Sequence, residues 1–187
     1  MGAGFLKRAE RISLDLRRQM GLRAQDCLDP FALAQHLDVG VRRIDELRNF
    51  GLSDEDITTL VDSKAGFSAL TVWRSSRPLI IYNPTHSSSR TANDVCHELS
   101  HIYHDHPPRP AIGFGGCREW DELYEQEAVW QAATLLVPRD GAFSLVQRGG
   151  TLAECAAHFG VSVALFRWRA HQTGVFRVNS LIGASRL

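Results

Sequence analysis

The sequence predicts an α+β domain: a small antiparallel sheet of about three strands flanked by a mainly helical body. Three observations predict it. Several stretches place apolar residues at helical spacing, and two short stretches rich in aromatic and β-branched residues alternate as half-buried strands do. The length, 187 residues, suffices for one domain with a real core, or one domain plus a small appendage.

Composition excludes several classes of function. Lys plus Arg and Asp plus Glu stand at 21 each, so no global field draws the chain to nucleic acid or to an anionic membrane. No apolar run approaches a membrane span, and the N-terminus has no apolar signal core. The opening MGAGFL also lacks the Ser or Thr of a myristoylation signal. Cys27, Cys96, Cys117 and Cys155 form no close pair and read as free thiols, which fits a cytoplasmic location.

Residues 3–20 place Phe5, Ala9, Ile12, Leu16 and Met20 on one helical face, with Lys7, Arg8, Arg11, Arg17 and Arg18 mostly elsewhere as a solvated basic face. Asp29 and Pro30 make a cap and first helical position for a helix that Gly40 stops. Val41–Ile44 reads as a short strand. Ser53 precedes three acidic residues suited to a helix N-terminus, and that helix runs to Val61. Phe67–Trp73 and Leu79–Asn83 form an antiparallel hairpin around a turn at 74–78, closed by Asn83-Pro84. The hairpin leads into a helix over 88–105 with a serine cap, which Pro107 and Pro108 forbid from continuing. Residues 107–118, rich in Pro and Gly, read as a loop, either a lid over a cleft or a plain connection. A further helix spans 119–137. Thr151 and Glu154 make a capping box for a helix ending near Phe159; Ser162 caps another that reaches Thr173.

The chemistry concentrates in NDVCHELSHIYHDH, residues 93–106. Helical residues four apart share a face, so His97 and His101 can offer nitrogens to one metal ion. Glu98, beside them, can reach a water on that ion without being a ligand, the division of labour of HExxH metallopeptidases. Two histidines one turn apart are by themselves often plain surface groups, so the reading depends on a third ligand. His104 is about 10.5 Å along the axis from His97, too far to share the ion, and the extended metzincin pattern is absent. The remaining donors are carboxylates of the next helix: Glu119, Glu122, Glu125 and Glu127.

An Asn-Pro after a strand, then HELSH, then EQEAVWQAATLLVP over 125–138 resembles the ImmA/IrrE family of metallopeptidases, whose usual run is close to E-x-E-A-N-x-x-A-A-x-L-L-M-P. Glu125, Glu127, Ala128, Ala132, Ala133, Leu135, Leu136 and Pro138 match without a gap. The resemblance implies Glu125 as third ligand, with Glu127 as the alternative. Val129 departs from the Asn or Asp that members carry one turn beyond the ligand. LAECAAHFGVSVALFRWRA, with its L-A-x-x-F-x-V-S character, is similar to the helix pair closing the family's domain, and LAQHLDVGV to the segment near its start.

The implied organisation is an N-terminal amphipathic helix over 1–24, a zincin-like (gluzincin-like) domain over 25–175 with its closing pair at 151–173, and a tail over 176–187. The implied activity is a zinc-dependent endopeptidase, with Mn²⁺ as the alternative ion, in which Glu98 is general base and then general acid. Tyr103, Tyr124, His86, His104 and His106 are candidates to help the metal stabilise the oxyanion. The family implies a helix-turn-helix repressor or antitoxin as substrate. Two other readings exist. The C-terminal pair also reads as a helix-turn-helix with Arg167, Arg169 and His171 facing DNA, against which stand the neutral net charge and the burial that Phe166 and Trp168 require. A metal-binding partner protein without turnover is the other, and the intact Glu98 argues against it.

Overall fold

The structure, a computed structural model, describes residues 2–62, 67–74, 77–107 and 122–175. In chain order the elements are α1 (Ala3–Gln19), α2 (Pro30–His36), β1 (Gly40–Arg43), a 3-10 helix (Ile44–Phe50), α3 (Asp54–Asp62), β2 (Ala69–Arg74), β3 (Arg77–Tyr82), α4 (Ser88–Tyr103), α5 (Glu122–Leu136), α6 (Arg139–Gln147), α7 (Leu152–His158) and α8 (Val163–Gln172). The class is α+β with one three-stranded sheet, as the sequence predicts. None of the described helices is long and apolar enough to cross a membrane. The residues form two compact units, Pro30–Val129 and Met1–Asp29 with Trp130–Leu187. The loop over 107–118, apart from Pro107, lies outside the described residues, as do Glu119, Cys117 and the 176–187 tail.

In the first unit the strand order is β1-β3-β2. The hairpin β2–β3 is antiparallel, with Ala69 opposite Tyr82 and Arg74 opposite Arg77, so Arg74, Arg77 and Pro78 belong to strands and not to the turn expected over 74–78. The expectation of a purely antiparallel sheet needs correction: β1 runs parallel to β3, Gly40 opposite Leu79 through Arg43 opposite Tyr82. The strand order has its reason in the composition of β3. Its Leu79-Ile80-Ile81 run suits a strand covered on both faces, so it takes the centre, and β1 fills the edge that the hairpin leaves open.

Strand alternation then sorts the two faces. Leu70, Val72, Leu79 and Ile81 pack with Ile44 of the 3-10 helix and Ile57 of α3. The opposite face, carrying Thr71 and the fully buried Ile80, meets α4. The 3-10 helix was not anticipated. The helix expected to reach Gly40 ends at His36, because Asp38 takes a left-handed conformation (φ 55°) and the amides of Asp38 and Val39 turn back to the carbonyls of Gln35 and Ala34. Asn83 closes the hairpin from within. Its Nδ2 donates to the Phe67 carbonyl at 2.9 Å and its Oδ1 accepts from Thr85 N–H at 3.0 Å, which aims the chain into α4. Ser87 caps α4 by accepting from the Arg90 amide.

The second unit is helical. Phe5, Ala9 and Leu16 of α1 are buried, but so is Arg17, at 1% exposure. That corrects its assignment to a solvated basic face. The cause is the end of α5, whose last carbonyls have no helical partner. Ser13 Oγ donates to the Thr134 carbonyl at 2.9 Å, the Arg17 guanidinium to those of Leu135 and Leu136 at 2.8 and 3.2 Å, and Arg169 Nε to that of Val137 at 3.1 Å. Four successive carbonyls are thus satisfied by two helices distant in sequence. Arg169 also pairs with Glu10 and is 2% exposed, which removes it from any surface that would face DNA; Arg167 and His171 are exposed.

The Thr151–Glu154 capping box and the Ser162 cap form as the sequence predicts. Phe159 and Phe166 stack at 6.1 Å in the interior between α7 and α8. Helix α6 was not anticipated, and it approaches its neighbour closely: a Cβ on Gly141 would stand 2.2 Å from the Ala24 carbonyl oxygen.

Candidate metal centre

The centre lies wholly in the unit formed by Pro30–Val129. Helix α4 buries Val95, Cys96, Leu99 and Ser100, and that choice of inner face fixes the direction of the rest. Ser100 Oγ donates to the Cys96 carbonyl at 2.6 Å, so the hydroxyl needs no other acceptor. His97 and His101, one turn apart, stay partly exposed and bring their Nε2 atoms to 3.1 Å. Glu125, in the first turns of α5, completes the group: its Oε2 is 3.2 Å from His97 Nε2 and its Oε1 is 3.4 Å from His101 Nε2.

These spacings can be tested against a metal ion. For ligand bonds of about 2.0–2.1 Å, tetrahedral ligands stand about 3.3 Å apart. The three observed separations, 3.1, 3.2 and 3.4 Å, bracket that edge. Three ligand atoms this close can share one cation, whereas a proton bridges only two. Burial disfavours the charge on Glu125, yet hydrogen bonds from His101 and His97, together with their charge, prevail and hold its carboxyl well below the usual carboxylate range. The carboxylate therefore stands ionised, as a metal ligand must. Among the described residues, His97, His101 and Glu125 form the group of His, Cys, Asp and Glu side chains placed to hold an ion.

The other predicted residues are placed as follows. Glu98 accepts a hydrogen bond from Thr71 Oγ1 on β2 at 2.6 Å. Glu127, the alternative ligand, places Oε2 3.2 Å from His106 Nε2 instead of joining the cluster. Val129 is exposed and carries no polar atom with which to orient Glu125. Of the oxyanion candidates, His86 Nδ1 lies 3.2 Å from Asp94 Oδ2, Tyr103 is exposed, and His104 and Tyr124 stack on the ring of His106.

Two residues beyond the motif enter the site's surroundings. Thr71 was not singled out, although the alternation of Phe67–Trp73 already put it on the face opposite Leu70 and Val72. His106 is 8% exposed and places Nδ1 2.9 Å from His101 Nδ1. Burial pushes its pKa below the ordinary histidine value, against the pull of Glu127. The sequence offered it only as an oxyanion candidate, a histidine just past a helix end and before Pro107.

A family model, Peptidase_M78, described as the IrrE N-terminal-like domain, matches residues 52–171, well over half of the chain. No curated protein matches the sequence.

Proposed function

The chain belongs to the Peptidase_M78 family, and from that premise we propose that it is a zinc-dependent metallo-endopeptidase. Its proposed substrate is a protein, a helix-turn-helix repressor or antitoxin, cut in a stress response or in the control of a mobile element. The observation that carries the reading is the convergence of His97, His101 and Glu125 at tetrahedral spacing.

Two imidazoles and one carboxylate suit Zn²⁺ with one position left for water; Mn²⁺ is the alternative ion. When bound, the ion supplies Lewis acidity toward the scissile carbonyl and acidifies water. Glu98 takes the proton from the attacking water and delivers it to the leaving amine nitrogen. Thr71 Oγ1 occupies Oε2 of Glu98, which leaves Oε1 for that proton. The substrate class follows from the family resemblance, and the free thiols of Cys27, Cys96 and Cys155 accord with a cytoplasmic setting.

The test is incubation of zinc-loaded wild type and Glu98→Gln with helix-turn-helix repressors and antitoxins of the same source, the products read by mass spectrometry. Cleavage at one bond by wild type and none by the variant supports the proposal. Equal cleavage by both removes Glu98 from the mechanism. Cleavage of unrelated unfolded protein, with none of the repressors, overturns the substrate class.

A further inference from the structure

We infer that His106 and Glu127 are positioning residues that fix the tautomer and ring orientation of His101, so that its Nε2 lone pair is held toward the metal site. The inference rests on the metal-centre reading above.

The contacts form a line. Glu127 Oε2 is 3.2 Å from His106 Nε2, and His106 Nδ1 is 2.9 Å from His101 Nδ1. His101 Nε2 is the atom that faces His97 and Glu125. Each nitrogen of His106 is therefore occupied, and neither joins the cluster as a ligand.

The protons can be placed from the carboxylate inward. The contact of Glu127 Oε2 with His106 Nε2 at 3.2 Å is read with the carboxylate oxygen accepting, so His106 Nε2 carries the proton and donates it. A neutral imidazole then has its lone pair on Nδ1, which accepts from His101 Nδ1–H. His101 is left with its lone pair on Nε2, the form a metal ligand needs. Reversing either histidine alone would set two lone pairs or two protons against each other across 2.9 Å. The carboxylate of Glu127 thus acts at one remove, through a second histidine.

The backbone and the neighbouring rings hold His106 in that place. Helix α4 ends at Tyr103 with His104 as its C-cap, and Asp105 takes a left-handed conformation at φ 51°. The amides of Asp105 and His106 turn back to the carbonyls of Ile102 and His101, at 3.1 and 3.0 Å. Residues 101 and 106 are consequently joined twice, by backbone and by ring. The His106 ring stacks with His104, at 5.5 Å and 23°, and with Tyr124, at 4.7 Å and 30°. His104 has a place in the site as a stacking partner of His106.

The test measures zinc affinity of the full chain by competition with a chromogenic chelator, in wild type, His106→Ala, Glu127→Ala and the double variant. His106→Gln and Glu127→Gln, whose amide oxygens can still accept, are measured beside them. The expected loss is about 10–100-fold for each alanine variant. The double variant should be little worse than the weaker single one, and the Gln variants should recover part of the loss. Nitrogen NMR of the zinc-loaded wild type, with His101 assigned through His101→Gln, should show Nδ1 protonated, a readout that needs no variant of His106 or Glu127 to fold. Wild-type affinity in both alanine variants, or a His101 Nδ1 without a proton, overturns the inference alone. Wild type that takes up no zinc overturns the metal-centre reading as well.

Discussion

Thr71 Oγ1 stands 2.6 Å from Glu98 Oε2, a contact between the strand β2 and the metal-site helix α4. Neutral side chains bond a carboxylate at this length when the hydroxyl is the donor, so Thr71 has no freedom to serve another acceptor with the same proton. Glu98→Gln should lower kcat/KM by about 10²-fold or more, the usual worth of a general base, while zinc content is unchanged. Thr71→Val should cost about 10-fold or less, because the carboxylate remains and only its orientation is released. Steady-state kinetics on a cleaved peptide, with zinc assayed in the same samples, checks both; full activity of Glu98→Gln would contradict the assignment.

Arg17 should matter for stability and not for metal binding. It is buried and donates to the carbonyls of Asp26, Leu135 and Leu136. Arg17→Met fills similar space but leaves those acceptors without their donor, at a cost of about 3 kcal/mol. Urea unfolding of the two proteins measures the difference. A change within about 0.5 kcal/mol, the scale of a surface substitution, would contradict the assigned role.

Gly141→Ala should destabilise, although it lies inside α6, where alanine ordinarily gains about 1 kcal/mol over glycine. The added Cβ would meet the Ala24 carbonyl oxygen at 2.2 Å, and the ring of Phe159 at 3.2 Å. The helix must move away from its neighbour, at about 1–3 kcal/mol. Thermal unfolding reads the sign directly, and a stabilised variant would contradict the close approach.

These two residues show where sequence reasoning ran out. The spacing of His97, Glu98 and His101 was legible because helical periodicity is local, and so was the Thr151–Glu154 capping box. Glu125 was one acidic residue among several until the family resemblance pointed to it, since its partners are about 25 positions away on another helix. Arg17 looked like part of a solvated face, because nothing near it in sequence shows that the end of α5 lies against it. Helix α6 was not anticipated, and the value of Gly141 lies in the contact with Ala24, which only the folded chain displays. The parallel pairing of β1 was hidden for the same reason: strand composition identifies β3 as central without giving the direction of its second neighbour.

Cys155 should be inert in the folded protein. It is 1% exposed, and burial, with a smaller contribution from Glu154, pushes its thiol pKa up, so the reactive thiolate forms only at higher pH than for a free thiol. Cys27 is exposed. Mild alkylation near neutral pH followed by peptide mapping should label Cys27 and leave Cys155 and the buried Cys96 unlabelled until denaturant is added. Rapid labelling of Cys155 in the native state would contradict its burial.

The central claim is that His97, His101 and Glu125 hold one metal ion. The measurement that tests it most directly is metal content per chain in freshly purified wild type, Glu125→Ala and Glu127→Ala, followed by zinc titration of each. The account predicts one equivalent in wild type, loss of the ion in Glu125→Ala, and retention with weakened affinity in Glu127→Ala. One equivalent held equally by wild type and Glu125→Ala, or no zinc taken up by wild type, would contradict it.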